Sequence, residues 1–172
     1  MLTLRPLQLS DEDSFRSALA EFEVEVPKFD FAFQFKESSS FEDYLDKVES
    51  WKQEIDNLVP ASYLVAVVDG EIVGRVSIRH ELNDFLKLYG GHVGYAVIPS
   101  KRRKGYATEI LKQALSICAE LGLEKIMISC DVGNEASKKV IERNGGVYVR
   151  DTTLDDIDIQ KHIYFIETNS NH

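Results

Sequence analysis

The sequence predicts an α/β (α+β) fold, with a mixed, mostly antiparallel central sheet of six to seven strands flanked by about four helices. Three observations carry that expectation. Residues 62–68 and 71–80 are β-rich runs joined by Asp69-Gly70, a strong hairpin signal. Between Gly105 and Gly122, the residues Ala107, Ile110, Leu111, Ala114, Leu115, Cys118 and Leu121 fall on one helical stripe. From residue 91 onward the order strand, helix, strand, helix adds a βαβ crossover to strands that began as antiparallel neighbours.

The elements follow in chain order. Residues 2–5 form a short strand stopped by Pro6, and Ser10-Asp11-Glu12-Asp13 offers a helix cap with acids in the first turn, where the helix dipole favours them. Phe29, Phe31, Phe33 and Phe35 alternate through an irregular stretch around residues 30–40. Such a period fits a strand face, and in a loop the rings line or cover a pocket. From residue 40 to about 58, Phe41, Tyr44, Leu45, Val48, Trp51 and Ile55 keep helical spacing until Pro60. Residues 91–98 are a third β run. After the long helix, which Gly122 stops, 125–130 reads as a buried strand and 134–144 as a helix ending in Asn144-Gly145-Gly146. Strands at about 147–150 and 160–168 close the chain. No repeat or low-complexity linker interrupts it, so residues 1–172 are expected to form one domain.

Composition narrows the function. The chain has 172 residues, 44% hydrophobic, with 20 Lys+Arg against 29 Asp+Glu and a net charge of −9. An acidic protein repels phosphate backbones at long range, which disfavours a nucleic-acid binder working by global charge. A neutral or cationic partner is favoured, or an anion held by a local exception. Cys118 and Cys130 sit in apolar stretches and read as buried small hydrophobes rather than a redox or metal pair. No apolar run approaches the length of a membrane span and no signal peptide is visible, so a reduced, cytoplasmic setting without a membrane partner is expected.

The local exception is Lys101-Arg102-Arg103-Lys104; without it the chain holds 16 basic and 29 acidic residues, net −13. A solvated turn is the plain account of most charge runs. Here the run follows a strand ending in Val97-Ile98-Pro99 and precedes a helix start at Gly105-Tyr106-Ala107-Thr108. Unpaired backbone N–H groups, the positive end of a helix dipole and several cations therefore meet, and Gly105 and Ala107 have no bulk to hold a ligand off the backbone. This is a pyrophosphate cradle. It lacks the spacings of a P-loop and of a dinucleotide-binding fingerprint.

Arg102-Arg103-Lys104-Gly105-Tyr106-Ala107 resembles the acyl-CoA signature Arg/Gln-x-x-Gly-x-Gly/Ala of the GNAT N-acetyltransferases. Asn134-Glu135-Ala136-Ser137 and then Val140-Ile141-Glu142-Arg143-Asn144-Gly145-Gly146 resemble the family's next element. The phrasing from Gly94-Tyr95 to Glu109 looks most like the branch of ribosomal-protein and small-molecule acetyltransferases, and the likeness is specific from about residue 63 to 148.

The resemblance implies the acyl-CoA N-acyltransferase fold, with acetyl-CoA as co-substrate and no metal. It implies that backbone groups of Val97 and Ile98 pair with the pantetheine amides. The amides from Arg103 through Lys104, Gly105, Tyr106 and Ala107 to Thr108 are expected to hold the pyrophosphate, with the Arg102 and Arg103 side chains adding charge. Asn134 is expected to bond the pantetheine arm, and it is also the natural N-cap of its helix.

A strand amide near Val97 is placed to polarise the thioester carbonyl. Many relatives carry a tyrosine acid seven residues after the asparagine, where this chain has Ile141; some carry a glutamate base five residues before it, where Ser129 stands. The candidates for catalysis are Ser137, near the sulfur, and Tyr95 and His92, which lie on opposite faces of one strand, with His162 and Tyr164 behind them. Each has a structural alternative: a first-turn helix serine, a buried tyrosine, a surface histidine. A proton relayed by water also suffices.

Acids at Asp30, Glu37, Glu42, Asp43, Asp151, Asp155, Asp156 and Asp158 fall in segments that border the family's acceptor site, and so suit a cationic amine; each is equally an ordinary solvated acid. The expected activity is acetyl transfer to a primary amine of a small molecule or a peptide terminus, by a monomer or homodimer. A catalytically silent acyl-CoA-binding domain, and a nucleic-acid contact through residues 101–104, are the competing readings.

Overall fold

The computed structural model describes residues 1–37, 40–154 and 157–168. Asp155 and Asp156, two of the acids expected near the acceptor, lie outside them. Among the described residues there are seven strands: β1 (Thr3–Arg5), β2 (Ala61–Val68), β3 (Glu71–Arg79), β4 (Val93–Val97), β5 (Lys125–Asp131), β6 (Val147–Leu154) and β7 (Ile157–Glu167). The four α-helices are α1 (Glu12–Glu23), α2 (Phe41–Ser50), α3 (Tyr106–Glu120) and α4 (Glu135–Arg143). All ladders are antiparallel, in the orders β1-β2-β3-β4 and β5-β7-β6.

The central sheet is therefore divided between β4 and β5. At one end the seam is pinned: the His92 N–H donates to the Met127 carbonyl at 2.7 Å, and the Met127 N–H donates to His92 Nδ1 at 2.9 Å. Gly91 makes this approach possible, because a Cβ there would lie 2.6 Å from the Met127 oxygen. Among the described residues no ladder joins the two strands past that point.

Strand alternation sends side chains to two cores. Tyr63, Val65, Val67 and Ile72 pack under α1, α2 and the aromatic loop, whereas Val73, Val76, Ile78, Val93 and Val97 pack under α3 with Ile126, Ile128 and Tyr164. Phe15 centres the first core, with Phe31, Phe35, Phe41 and Tyr44 at ring-centroid distances of 5.4–5.8 Å. Truncating such a residue to alanine costs about 3–5 kcal/mol.

Two elements differ from the periodicity. The helix expected to run to about residue 58 ends at Ser50, with buried Trp51 as its C-cap. Asp56 and Asn57 take left-handed φ values of 50° and 65°, which short polar side chains tolerate and a helix does not, and Ile55 bridges Leu58 across them. At the other difference, Ser10 does not cap α1. Asp11 does not cap it through its side chain either; its buried carboxylate accepts two bonds from Arg5 at 2.7 and 2.8 Å and one from the Gln8 N–H at 2.8 Å. Phe29 to Phe35 form a loop, and two of its rings, Phe29 and Phe33, line a cavity.

Candidate active site

The open edge of β4 is the first part of the site. In the β3–β4 ladder the Ile98 N–H donates to Val73 at 2.9 Å and the Arg79 N–H to His92 at 2.7 Å. Antiparallel alternation then turns the peptide groups of residues 92, 94, 96 and 98 toward β3, and those of Val93, Tyr95 and Val97 toward the gap before β5. Val97 thus faces the gap. Ile98 is spent inside the fold, its N–H on Val73 and its carbonyl on the Lys101 N–H at 2.8 Å.

The second part is the turn into α3. Gly105 occupies the N-cap with φ 80°, and a Cβ built on it meets nothing within 4 Å, so the space in front of the helix is open. No side chain caps this end, and the first backbone bond closes only at Glu109, whose N–H donates to Gly105 at 3.3 Å. The amides from Arg103 through Thr108 have no acceptor among the described residues.

The four cations divide. Lys101 pairs with Glu71 at 2.7 Å. Arg102 pairs bidentately with Glu25, reaches the Val97 carbonyl through Nε at 3.2 Å, and stands over the Phe22 ring. Its side chain is turned toward α1, not toward the helix mouth as the signature implied. Arg103 and Lys104 are exposed and make no ion pair among the described residues.

The third part crosses the gap. Tyr95 Oη and Ser137 Oγ lie 2.7 Å apart, joining β4 to the first turn of α4. Burial pushes the Tyr95 phenol up to about 12, and the bond to Ser137 opposes the shift. Asn134 caps α4, its Oδ1 accepting the Ser137 N–H at 3.1 Å, and this fixes the serine that meets Tyr95.

The other candidates have partners or packing of their own. His92 belongs to the pinned end of the seam, where burial holds it below the usual imidazole range. Ser129 donates to the Tyr89 carbonyl at 2.9 Å, and Ile141 is fully buried. His162 is paired with Asp151 at 2.5 Å, while Tyr164 is buried in the α3-side core, its phenol pushed up to about 12 by desolvation.

A feature the motifs did not reveal lies on the other face of β2 and β3. A cavity of about 450 Å³ is lined by Phe29, Phe33, Trp51 and Tyr63, by Asp30, and by Arg75, Ser77 and Arg79 of β3. Of the acids expected at the acceptor, Asp30 alone among the described residues lines it; Glu42 and Asp43 are exposed in the first turn of α2. The period-two run Arg75-x-Ser77-x-Arg79 inside a central strand was the available signal.

Divided strands, an uncapped helix mouth and a hydroxyl pair across the gap define an acyl-transfer scaffold. A family model described as the acetyltransferase (GNAT) domain matches residues 1–147, and the chain belongs to that family. Its members use acetyl-CoA as co-substrate. Among solved structures, the Salmonella typhimurium protein yncA with acetyl-CoA is similar at 14% identity and TM-score 0.64, over 99% of this chain and 95% of that one. A GNAT-family acetyltransferase from Streptococcus pneumoniae is 14% identical with TM-score 0.65, over 97% and 99%. The spermidine N-acetyltransferase of Vibrio cholerae with CoA and spermine is 18% identical with TM-score 0.63, over 97% and 95%. No curated protein sequence matches the chain significantly. Among the described residues no cluster of three His, Cys, Asp or Glu is placed to hold a metal ion, and no helix is long and apolar enough to cross a membrane.

Proposed function

We propose that the chain is an N-acetyltransferase that accepts a primary amine of a small molecule, the two substrates meeting in a ternary complex at the β4–β5 gap. The observation that carries this reading is the Tyr95–Ser137 pair at 2.7 Å, set across an open strand edge whose Val97 peptide group faces the same gap. Acetyl-CoA supplies the activated acetyl group. Val97 would pair with the pantetheine arm as an added strand does. The amides of Arg103 through Thr108 would take the pyrophosphate at the positive end of α3, with the Arg103 and Lys104 side chains adding charge. A strand amide near Val97 on this open edge would polarise the thioester carbonyl. A tyrosine whose phenol titrates near 12 stays protonated at neutral pH, so the pair holds a proton ready for a leaving thiolate.

We read residues 1–172 as one such domain, because β7, beyond the family match, pairs with both β5 and β6 and sends Tyr164 into the core. The Gly94-Tyr95 phrasing supports the branch of ribosomal-protein and small-molecule acetyltransferases, and a concave, mostly apolar cavity of about 450 Å³ favours a small acceptor over a protein terminus. Pairing of Lys101 with Glu71 and of Arg102 with Glu25 at the surface leaves less free positive charge and weakens the nucleic-acid reading.

The test is CoA release from acetyl-CoA with a panel of primary amines, run beside acetyl-CoA binding. Amine-dependent release that falls in Tyr95→Phe supports transfer. Tight binding without turnover for any amine supports the silent acyl-CoA-binding domain.

A further inference from the structure

The cavity beside β3 holds two arginines without acidic partners. Arg75 is only 8% exposed, in the middle of a central strand. One of its terminal nitrogens donates to the Asp30 carbonyl at 2.8 Å and the other to the Gly94 carbonyl at a long 3.4 Å. Its Nε has no hydrogen-bond partner among the described residues. The guanidinium stands over the rings of Phe29 at 4.7 Å and Tyr63 at 5.6 Å, and no carboxylate lies within 4.0 Å among the described residues. Arg79, two residues along the same face, donates to the carbonyls of Gly91 at 3.0 Å and Gly90 at 3.4 Å and likewise pairs with no carboxylate.

Two cations taken out of water this way cost several kcal/mol apiece unless an anion answers them. Desolvation pulls the pKa of both below the usual guanidinium value, and the charge of Arg75 adds to the effect at Arg79. The charged residues of the lining are these two and the exposed Asp30, so the cavity is cationic within an acidic protein. A polyamine would meet like charge there. A carboxylate would meet the forked donors that match its two oxygens.

We propose that the acceptor is an amino carboxylate with an apolar, ring-sized body: its carboxylate sits against Arg75 and Arg79, its body among Phe29, Phe33 and Trp51, and its amine points past Gly94 toward the open edge of β4. Gly94 pairs with Ser77, and a Cβ built on Gly94 meets nothing within 4 Å, so space is open beside β4. Strand spacing of about 4.8 Å sets the carboxylate about one strand from that edge. This assignment rests on the transferase reading for its amine and on the cavity alone for its carboxylate.

The experiment separates the two. Calorimetric titration of the wild-type protein with benzoate, phenylacetate and 3-phenylpropionate, each beside its neutral amide, reads the carboxylate subsite without turnover. At least one acid is expected to bind 30-fold or more tighter than its amide, and Arg75→Gln or the more accessible Arg79→Gln is expected to remove that preference while acetyl-CoA affinity stays within threefold. Equal binding of acid and amide throughout the series, or no binding by any acid, overturns the proposal. In the CoA-release assay phenylalanine is expected to exceed phenethylamine at least 10-fold in kcat/KM; the reverse order, or preference for spermidine, overturns it as well. Loss of acetyl-CoA binding in the wild-type protein sinks the transferase reading instead, and the acid–amide comparison still decides this one.

Discussion

The two sides of the β-sheet are built by different means. On the side of the gap the proposed recognition is mostly backbone, the Val97 peptide and the amides at the mouth of α3, with one side-chain hydroxyl pair beside them. On the side of the cavity it is made of side chains gathered from the 29–33 loop, the segment after α2, and β3. Backbone donors suit a co-substrate common to a whole family, since almost any sequence supplies them once the turn and the strand break are in place. Side chains suit an acceptor that differs from one enzyme to the next, since each can be exchanged without moving the main chain. The difference teaches that family membership speaks to the first side and only this chain's own residues speak to the second.

Substitutions at the helix mouth test that contrast most severely. Ala107→Glu puts a carboxylate in the first turn of α3, where it favours the helix by about 0.3–1 kcal/mol but opposes a bound phosphate. Ala107 is also half-buried against the α3-side core, so the expected result is a modestly lowered Tm in a folded protein, with acetyl-CoA affinity reduced about 100-fold, close to 2.7 kcal/mol. Intact affinity in Ala107→Glu would move the cradle elsewhere.

Tyr95→Phe comes next in size. It removes one hydroxyl of a coupled pair, and kcat is expected to fall about 10–100-fold with acetyl-CoA affinity within threefold. Because the phenol is raised to about 12, the wild-type rate should show no tyrosine-dependent decline up to pH 10. The same shift gives a sign for stability. The fold favours the neutral phenol, so this contribution is complete below the ordinary value near 10 and is lost as pH climbs from there through about 12. A kcat in Tyr95→Phe equal to wild type would leave proton delivery to water.

Charge at the cradle gives the smallest effects. Arg103→Ala combined with Lys104→Ala should weaken acetyl-CoA binding about three- to fivefold, with the loss shrinking as salt rises, whereas Arg102→Ala should change it less than twofold and lower Tm slightly. Reversed effects would mean that Arg102 leaves Glu25 to serve the ligand.

How much of this was legible varies by residue. Gly105, Asn134 and the hairpin at Asp69-Gly70 announce themselves because local conformation demands their residue types. Ser137 and Tyr95 were each readable as candidates, but 42 residues separate them and their 2.7 Å contact depends on how α4 is set against β4. Arg102 was misdirected by its motif, because Glu25 and Phe22, far away in the chain, hold its guanidinium. The helix end at Ser50 was hidden by Trp51 and Ile55, whose helical spacing serves tertiary packing and a tight turn instead.

By itself the sequence determined what depends on neighbours in the chain: strand and helix periods, the glycine turn, the cap, and the run of cations before α3. Tertiary structure alone decided what depends on the meeting of distant segments. It paired two of the four cations away, and it pinned β4 to β5 beside Gly91 and parted them beyond it. It brought Arg75 and Arg79 under an aromatic loop, where Asp30 is the one acid of the lining among the described residues and forms an ion pair with neither. The physical reason is that a peptide group's conformation is set within a few residues, whereas a side chain's charge acquires its meaning only from the groups that folding places within a few ångströms.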